Sequence, residues 1–396
     1  MRLLILQFKG EKYMENLKWV CAWGNAISIA ERRPENYAKD LTLRYPVSIP
    51  FAGNKIRLHF DNFCSSEDVI LNRVSVALGA GGSLIHPETS TPVTFGGRPD
   101  VILHAGEDLY SDEIEFTVGA GDDIAVSFYL KGFTEMRSGV VITGPLSRAF
   151  FAIGDCTQEK ELPEDTSKTT NTYYFLSGVD VLTSDENKAL ICFGDSITAQ
   201  SWPDYLLIRT AALGLTHRSV IRRAASGTRI LRQYDNITYD SYGLKGSVRF
   251  PREIKVAGAD GVLIQHGIND IIHPVGVMEN KFRPWSDLPT ADDLIEGMRG
   301  YIKTAREQNL KVYAGTLLPI YGWRTYADFR DEIRNEFNDW IRTTNEIDGC
   351  VDFDKALRDP ENPAAFAPGY DSGDHLHPSA KAYEKMAAVV PEELLR

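Results

Sequence analysis

Ser196 stands where an apolar run stops at a glycine, in Ile191-Cys192-Phe193-Gly194-Asp195-Ser196-Ile197-Thr198. Glycine lets the backbone turn sharply, and such a turn exposes the Ser196 hydroxyl beside backbone N–H groups of a coming helix, as a nucleophilic serine requires. The same position also suits a plain helix cap by Ser196 or Thr198. A serine needs a base whose tautomer is held by a carboxylate. Asp374-His375-Leu376-His377-Pro378 supplies that pair, with Asp374 and His377 three residues apart. Two further readings of this segment stay open: a surface turn capped by Asp374, and a metal site using Asp371, Asp374, His375 and His377. Asn269, in Gln265-His266-Gly267-Ile268-Asn269-Asp270, follows the apolar run Val262-Leu263-Ile264. Its amide can donate to a developing oxyanion or cap a helix. Gly227, in Ala225-Ser226-Gly227-Thr228-Arg229, offers one more N–H.

Several neighbours join this set. Asp195 reads as a hydrogen-bonding group that holds the serine turn. His266 and His273 flank the Asn269 block and read either as pocket lining or as core. Trp202, Trp285 and Trp323 fall in or near expected loops, where their faces can receive a sugar or an acyl chain, or simply pack. The stretch Pro274–Pro289, with Gly276, Pro284 and Trp285, is the candidate lid or specificity loop, and it is too polar for a membrane-activated lid.

Positioning these residues requires strands that end together. From about Ala189 onward the chain alternates strand and helix. Ala189–Phe193, Gly261–Gln265 and Lys311–Gly315 read as buried parallel strands. Trp202–Leu213, Ala291–Gln308, Asp328–Thr344 and Ser379–Leu395 read as helices, the last just after Pro378. That alternation implies a parallel sheet covered on both faces, with chemistry at the C-terminal strand ends. From Trp19 to about Asp180 the texture is all-β. Lys55–Phe60, Val69–Leu78, Val101–Leu103, Glu113–Val118 and Ile124–Leu130 are separated by glycine-rich turns, and Ile56, Leu58 and Phe60 alternate onto one face. A β-sandwich or jelly roll is expected there. The expected division is a leader over 1–18, a β-sandwich domain over 19–180 and an α/β domain over 181–396.

With 43 Lys+Arg against 55 Asp+Glu in 396 residues, the net charge is −12. An acidic chain lacks the basic surface that nucleic acid demands, and no run reaches the ~18 apolar residues of a membrane span. Neither nucleic acid nor a membrane is therefore an expected partner. Residues 1–8 are followed at once by Lys9-Gly10-Glu11-Lys12, too short for a secretory leader, and Met14 is an alternative start. Five scattered cysteines without a C-x-x-C spacing read as free thiols. The cytoplasm is the expected compartment.

Taken in chain order, Ser196, Gly227, Asn269 and the Asp374/His377 pair form four blocks, and through them the chain resembles the GDSL, or SGNH, hydrolase family. That family is named for its Ser, Gly, Asn and His blocks. The resemblance implies a flavodoxin-like three-layer α/β/α domain acting as an esterase, lipase or acylhydrolase without a cofactor. It implies Ser196 as nucleophile, His377 as base and Asp374 as the orienting acid. Ser196 N–H, Gly227 N–H and Asn269 Nδ2 would form the oxyanion hole. The blocks span residues 191–387. In the first half, Trp19-Val20-Cys21-Ala22-Trp23, Leu41-Thr42-Leu43-Arg44, Asp61-Asn62-Phe63, Thr94-Phe95-Gly96-Gly97 and Tyr110-Ser111-Asp112 resemble a bacterial two-domain subgroup with a β-sandwich before the hydrolase domain. Two features depart from the pattern. Many relatives are secreted, and many carry Leu-Glu where this chain has Gln265-His266. The expected substrate is a small-molecule or carbohydrate acyl ester with a short chain, including O-acetyl sugar. The alternative is an inactive carbohydrate-binding or scaffold protein on the same fold.

Overall fold

A computed structural model describes residues 16–30, 37–234 and 239–396. The expected leader lies outside these residues up to Glu15, as does Met14, and its last two residues open the strand Leu17–Gly24. Up to Ser184 the described chain is strand and turn, with one 3-10 turn at Pro87–Thr89. One antiparallel sheet orders Leu17–Gly24, Leu176–Ser184, Gly53–Asp61 and Asp108–Tyr110, with Ile114–Val118 also on Gly53–Asp61. A second orders Lys168–Thr170, Ala149–Ile153, Leu41–Ser48, Asp123–Leu130, Arg73–Leu78 and Thr91–Pro92.

Alternation places Ile56, Leu58 and Phe60 in the interior. The Phe60 ring meets Phe128 of the second sheet edge-on at 5.6 Å, so both sheets share one core. Val69–Leu78 divides into Val69–Leu71 and Arg73–Leu78. At the break, Asn72 accepts the Lys131 N–H through its side chain. Leu176–Ser184 runs through the expected boundary at residue 180, and the turn at 185–187 leads into the second half.

There, five parallel strands lie in the order Arg218–Ala224, Lys188–Gly194, Ala259–Gln265, Lys311–Gly315 and Gly349–Val351. The chain leaves Lys188–Gly194 for one side of the sheet and then crosses to the other, so the winding reverses at that strand. Such a switch point opens a crevice at the C-terminal ends of the strands. The helices are α1 (Ser196–Ala199), α2 (Trp202–Ala212), α3 (Gly246–Glu253), α4 (Ile268–Ile272), α5 (Ala291–Glu307), α6 (Asp328–Thr343), α7 (Phe353–Leu357) and α8 (Ala380–Val389). α2 packs with α8 and α8 with α7; α5 packs with α3 and α6. α8 stops well short of Leu395, because Pro391 cannot continue a helix and disfavours helical backbone before it.

Arg218–Ala224 is absent from the sequence reading because Arg218, Arg222 and Arg223 hide its strand character. It is the sheet's edge, yet all seven residues are buried. Strand Leu17–Gly24 packs beside it, and Ser219 Oγ donates to the Cys21 carbonyl at 2.6 Å. Arg218 pairs with Asp260 and Arg222 with Asp204. Ala189, Ile221 and Ala224 extend the core of the first half. Among the described residues no helix is long and apolar enough to cross a membrane. All five cysteines are unbridged.

Candidate active site

The sheet's register brings the blocks together. Gly194 pairs laterally with Ala224 on one side and Gln265 on the other. Ser196, Gly227 and Asn269 therefore follow three adjacent strand ends by two, three and four residues. Glycine is needed at 194 because a Cβ there would lie 2.4 Å from the Gln265 carbonyl oxygen. It is needed at 227 because φ is +79° and a Cβ would sit 2.9 Å from the Tyr242 ring.

Ser196 opens α1, half-buried, with its Oγ 2.9 Å from His377 Nε2. His377 Nδ1 lies 2.6 Å from Asp374 Oδ2. The Asp374 loop is built around its carboxylate: Oδ1 accepts the N–H groups of Leu376 and His377 at 3.0 and 2.8 Å. Leu376 is buried and anchors the loop in the core. Burial raises the Asp374 carboxyl, but the hydrogen bonds from the His377 ring and from the two N–H groups outweigh it. The carboxyl is held below the usual range and stays ionised. With Nδ1–H committed to Asp374, Nε2 is left as the acceptor for the serine hydroxyl.

Asp371 and His375 form a separate pair at 2.5 Å. Among the described residues no three His, Cys, Asp or Glu side chains cluster as metal ligands. Asn269 is buried in α4, and its Nδ2 donates to the Thr228 carbonyl at 3.1 Å, which leaves its second N–H for another acceptor. Asp270 accepts the N–H groups of Ile230 and Leu231 at 2.8 and 2.9 Å. Together the two side chains of α4 clamp the loop that carries Gly227. Asp270 was not singled out by sequence reasoning, although its place beside Asn269 was the available signal. Arg249, also unforeseen, ties strand ends from below: it pairs with Glu253 and donates to the Gly194 carbonyl and Thr228 Oγ1. Its i,i+4 spacing to Glu253 was visible.

The suggested pocket residues are not brought to the serine as a set. His266 is fully buried, held by Thr228 Oγ1 at 3.1 Å and Tyr301 Oη at 3.0 Å. Burial pushes its imidazole far below the usual range, so it is a neutral core side chain rather than pocket lining. Trp202 is not in a loop: it opens α2, its ring packs on Phe353, and it is fully buried. His273 is buried, stacks on Tyr242 at 4.4 Å and meets Arg229 at 3.1 Å. Trp323 is half-buried against the core. Trp285 is exposed beside Phe329. The Pro274–Pro289 segment exposes Val277, Met278 and Phe282 besides Trp285, a more apolar surface than its composition conveys.

Asp195 caps α1 by accepting the Ile197 N–H at 3.0 Å, while its other oxygen is buried without a partner. Burial pushes this carboxyl up to about 7. In an unfolded chain it titrates near ~3.9. Between those values the folded protein holds a proton that the unfolded chain has released, so stability falls as pH rises from about 4 to 7. Asp195→Asn keeps the cap and removes that cost. Its Tm is expected to exceed that of the parent clearly at pH 8 and to match it near pH 4 in parallel thermal melts.

Parallel strands and a switch-point crevice define the second half as an α/β domain, with the hydroxyl–imidazole–carboxylate row at its strand ends. Residues 192–385 match the model of the GDSL-like lipase/acylhydrolase family, to which this half of the chain belongs and whose members are esterases and hydrolases. No curated protein matches the chain in sequence. Similar solved structures include a GDSL-like lipase from Bacteroides thetaiotaomicron, 18% identical over 54% of this chain and 90% of that one, TM-score 0.40. An acetyl xylan esterase is 21% identical over 51% and 96%, TM-score 0.37. A carbohydrate esterase family 3 member from Talaromyces cellulolyticus is 17% identical over 52% and 96%, TM-score 0.36.

Proposed function

We propose that the chain is a serine esterase that removes short acyl groups, including O-acetyl groups on carbohydrate, by two-step acyl transfer. In this reading a flavodoxin-like catalytic domain follows a β-sandwich. The observation that carries it is the unbroken row from Ser196 Oγ through the His377 ring to Asp374, at 2.9 and 2.6 Å. Ser196 attacks the ester carbonyl as His377 Nε2 takes its proton, and the alcohol leaves with that proton. Water, activated by the same nitrogen, then releases the acid. Asp374 remains a carboxylate and holds the ring while it is charged.

The oxyanion would be received by Ser196 N–H, Gly227 N–H and the second N–H of Asn269. Removing one such donor costs about 2.7–4 kcal/mol, or ~10²–10³ in rate. Asn269→Ala is therefore expected to lower kcat on an aryl acetate by that factor in a protein that still melts cooperatively. A fluorophosphonate probe separates this reading from an inactive scaffold: Ser196 is expected to label. Native protein that leaves Ser196 unlabelled would remove the proposal. A panel of acetyl, butyryl and longer esters, then acetylated sugars, reads the acyl preference.

A further inference from the structure

A second serine–imidazole–carboxylate row lies outside this site. Ser177 Oγ is 2.9 Å from His59 Nδ1, and His59 Nε2 is 2.7 Å from Asp108 Oδ2. We propose that Ser177 is a second acyl-accepting nucleophile, served by His59 and Asp108 in a cleft between the two halves of the chain.

The backbone is shaped for it. Leu176 pairs with Phe60 and Gly178 with His59, so Ser177 is the extra residue of a β-bulge. Bulges re-aim side chains and gather beside active sites. Here the bulge sets the Ser177 hydroxyl against the ring of His59. Tyr110 pairs across the sheet with His59 and stacks on its ring at 4.2 Å and 6°, which fixes the imidazole plane. Asp108, two residues earlier, holds Nε2–H and leaves the Nδ1 lone pair for the hydroxyl. The His59 carbonyl, at 3.2 Å, is the hydroxyl's other acceptor.

These residues line a cavity of about 220 Å³ that Arg223, Arg252 and Lys255 close from the second half. That volume suits a small acyl ester and is below the ~300–1,000 Å³ typical of sites for larger ligands. Arg223 Nη1 donates to the Ser177 carbonyl at 3.0 Å, which puts a guanidinium beside the serine. The same nitrogen also donates to the Asn25 carbonyl, and among the described residues the Arg223 guanidinium makes no ion pair with a carboxylate, so its charge is available to a developing oxyanion. Asp61 and Asp108 are engaged by Arg252, and Glu253 by Arg249.

Attack of Ser177 Oγ on the carbonyl carbon of a small carboxylic ester forms the Oγ–C bond while the proton passes to Nδ1. Collapse breaks the bond to the alcohol oxygen, and the alcohol departs with that proton. Water then cleaves the acyl-serine to free acid and hydroxyl.

The test treats native protein and Ser196→Ala with a small alkyl fluorophosphonate and maps the adducts by peptide mass. An adduct on Ser177 is expected in both. His59→Gln is expected to slow it by about 10²-fold or more, the usual contribution of a general base, with the Ser196 adduct in the same sample as the standard for folded protein. Native protein labelled at Ser196 alone would overturn the proposal, as would Ser177 labelling at an unchanged rate in His59→Gln. An adduct at Ser177 with none at Ser196 would support this site and overturn the proposed function, so the two readings fail separately.

Discussion

In a Ser177→Ala background, which removes turnover by the second row, Ser196→Ala is expected to lower kcat on an aryl acetate by about 10⁶-fold, and His377→Ala by a similar factor. The double variant should be little worse than either single one, because the hydroxyl and its base act as one unit: without the base the serine is a poor nucleophile at neutral pH, and without the serine the base has no proton to take. Near-additive losses would mean that the two side chains work independently, in conflict with the 2.9 Å contact between them. Neither change should disturb folding. Ser196 is half-buried and His377 stands partly exposed on a loop anchored by Leu376, so cooperative melting at an unchanged midpoint is the control.

Asp374→Asn in the same background should cost about 10⁴ in kcat. An amide in place of the carboxylate can offer an N–H to His377 Nδ1, which favours the tautomer with the proton on Nε2, where the serine needs a lone pair. The effect is chemical more than structural. The remaining amide oxygen can still accept the N–H groups of Leu376 and His377, so the loop keeps its shape. Raising the pH should restore little activity, since the fault is the position of a proton and not its number. Activity of Asp374→Asn within tenfold of the parent would assign the carboxylate to the loop's shape alone.

The sequence makes some of this architecture legible. Gly194, Asn269 and Pro378 each punctuate an apolar run, so the ends of strands and the start of the last helix can be placed from residue type alone. The three parallel strands that are continuous apolar runs are found to within two residues. Arg218–Ala224 is not, because its arginines find partners only after folding: Asp260, Asp204 and the carbonyls of Asn25 and Ser177. His266 and Trp202 show the converse failure. Each has a polar handle that reads as functional in isolation, and each handle is satisfied by a residue distant in sequence or one turn away, Tyr301 and Thr198. Chain order brings Ser196, Gly227 and Asn269 into view, but lateral neighbourhood belongs to sheet register, which a single sequence does not reveal. The Ser177 row is invisible for the same reason, since its three members come from three strands separated by as many as 118 positions.

The buried edge strand at Arg218–Ala224 ties the fate of the two halves together. Cutting the chain in the turn at 185–187 would strip Leu17–Gly24 from that edge and leave the side chains of Ile221 and Ala224 in water. It would also leave Arg223 without the carbonyls that now receive it. An open edge of this kind recruits any strand that can pair with it. The second half made alone would therefore tend to self-associate, and the first half serves it as a permanent built-in chaperone for its sheet.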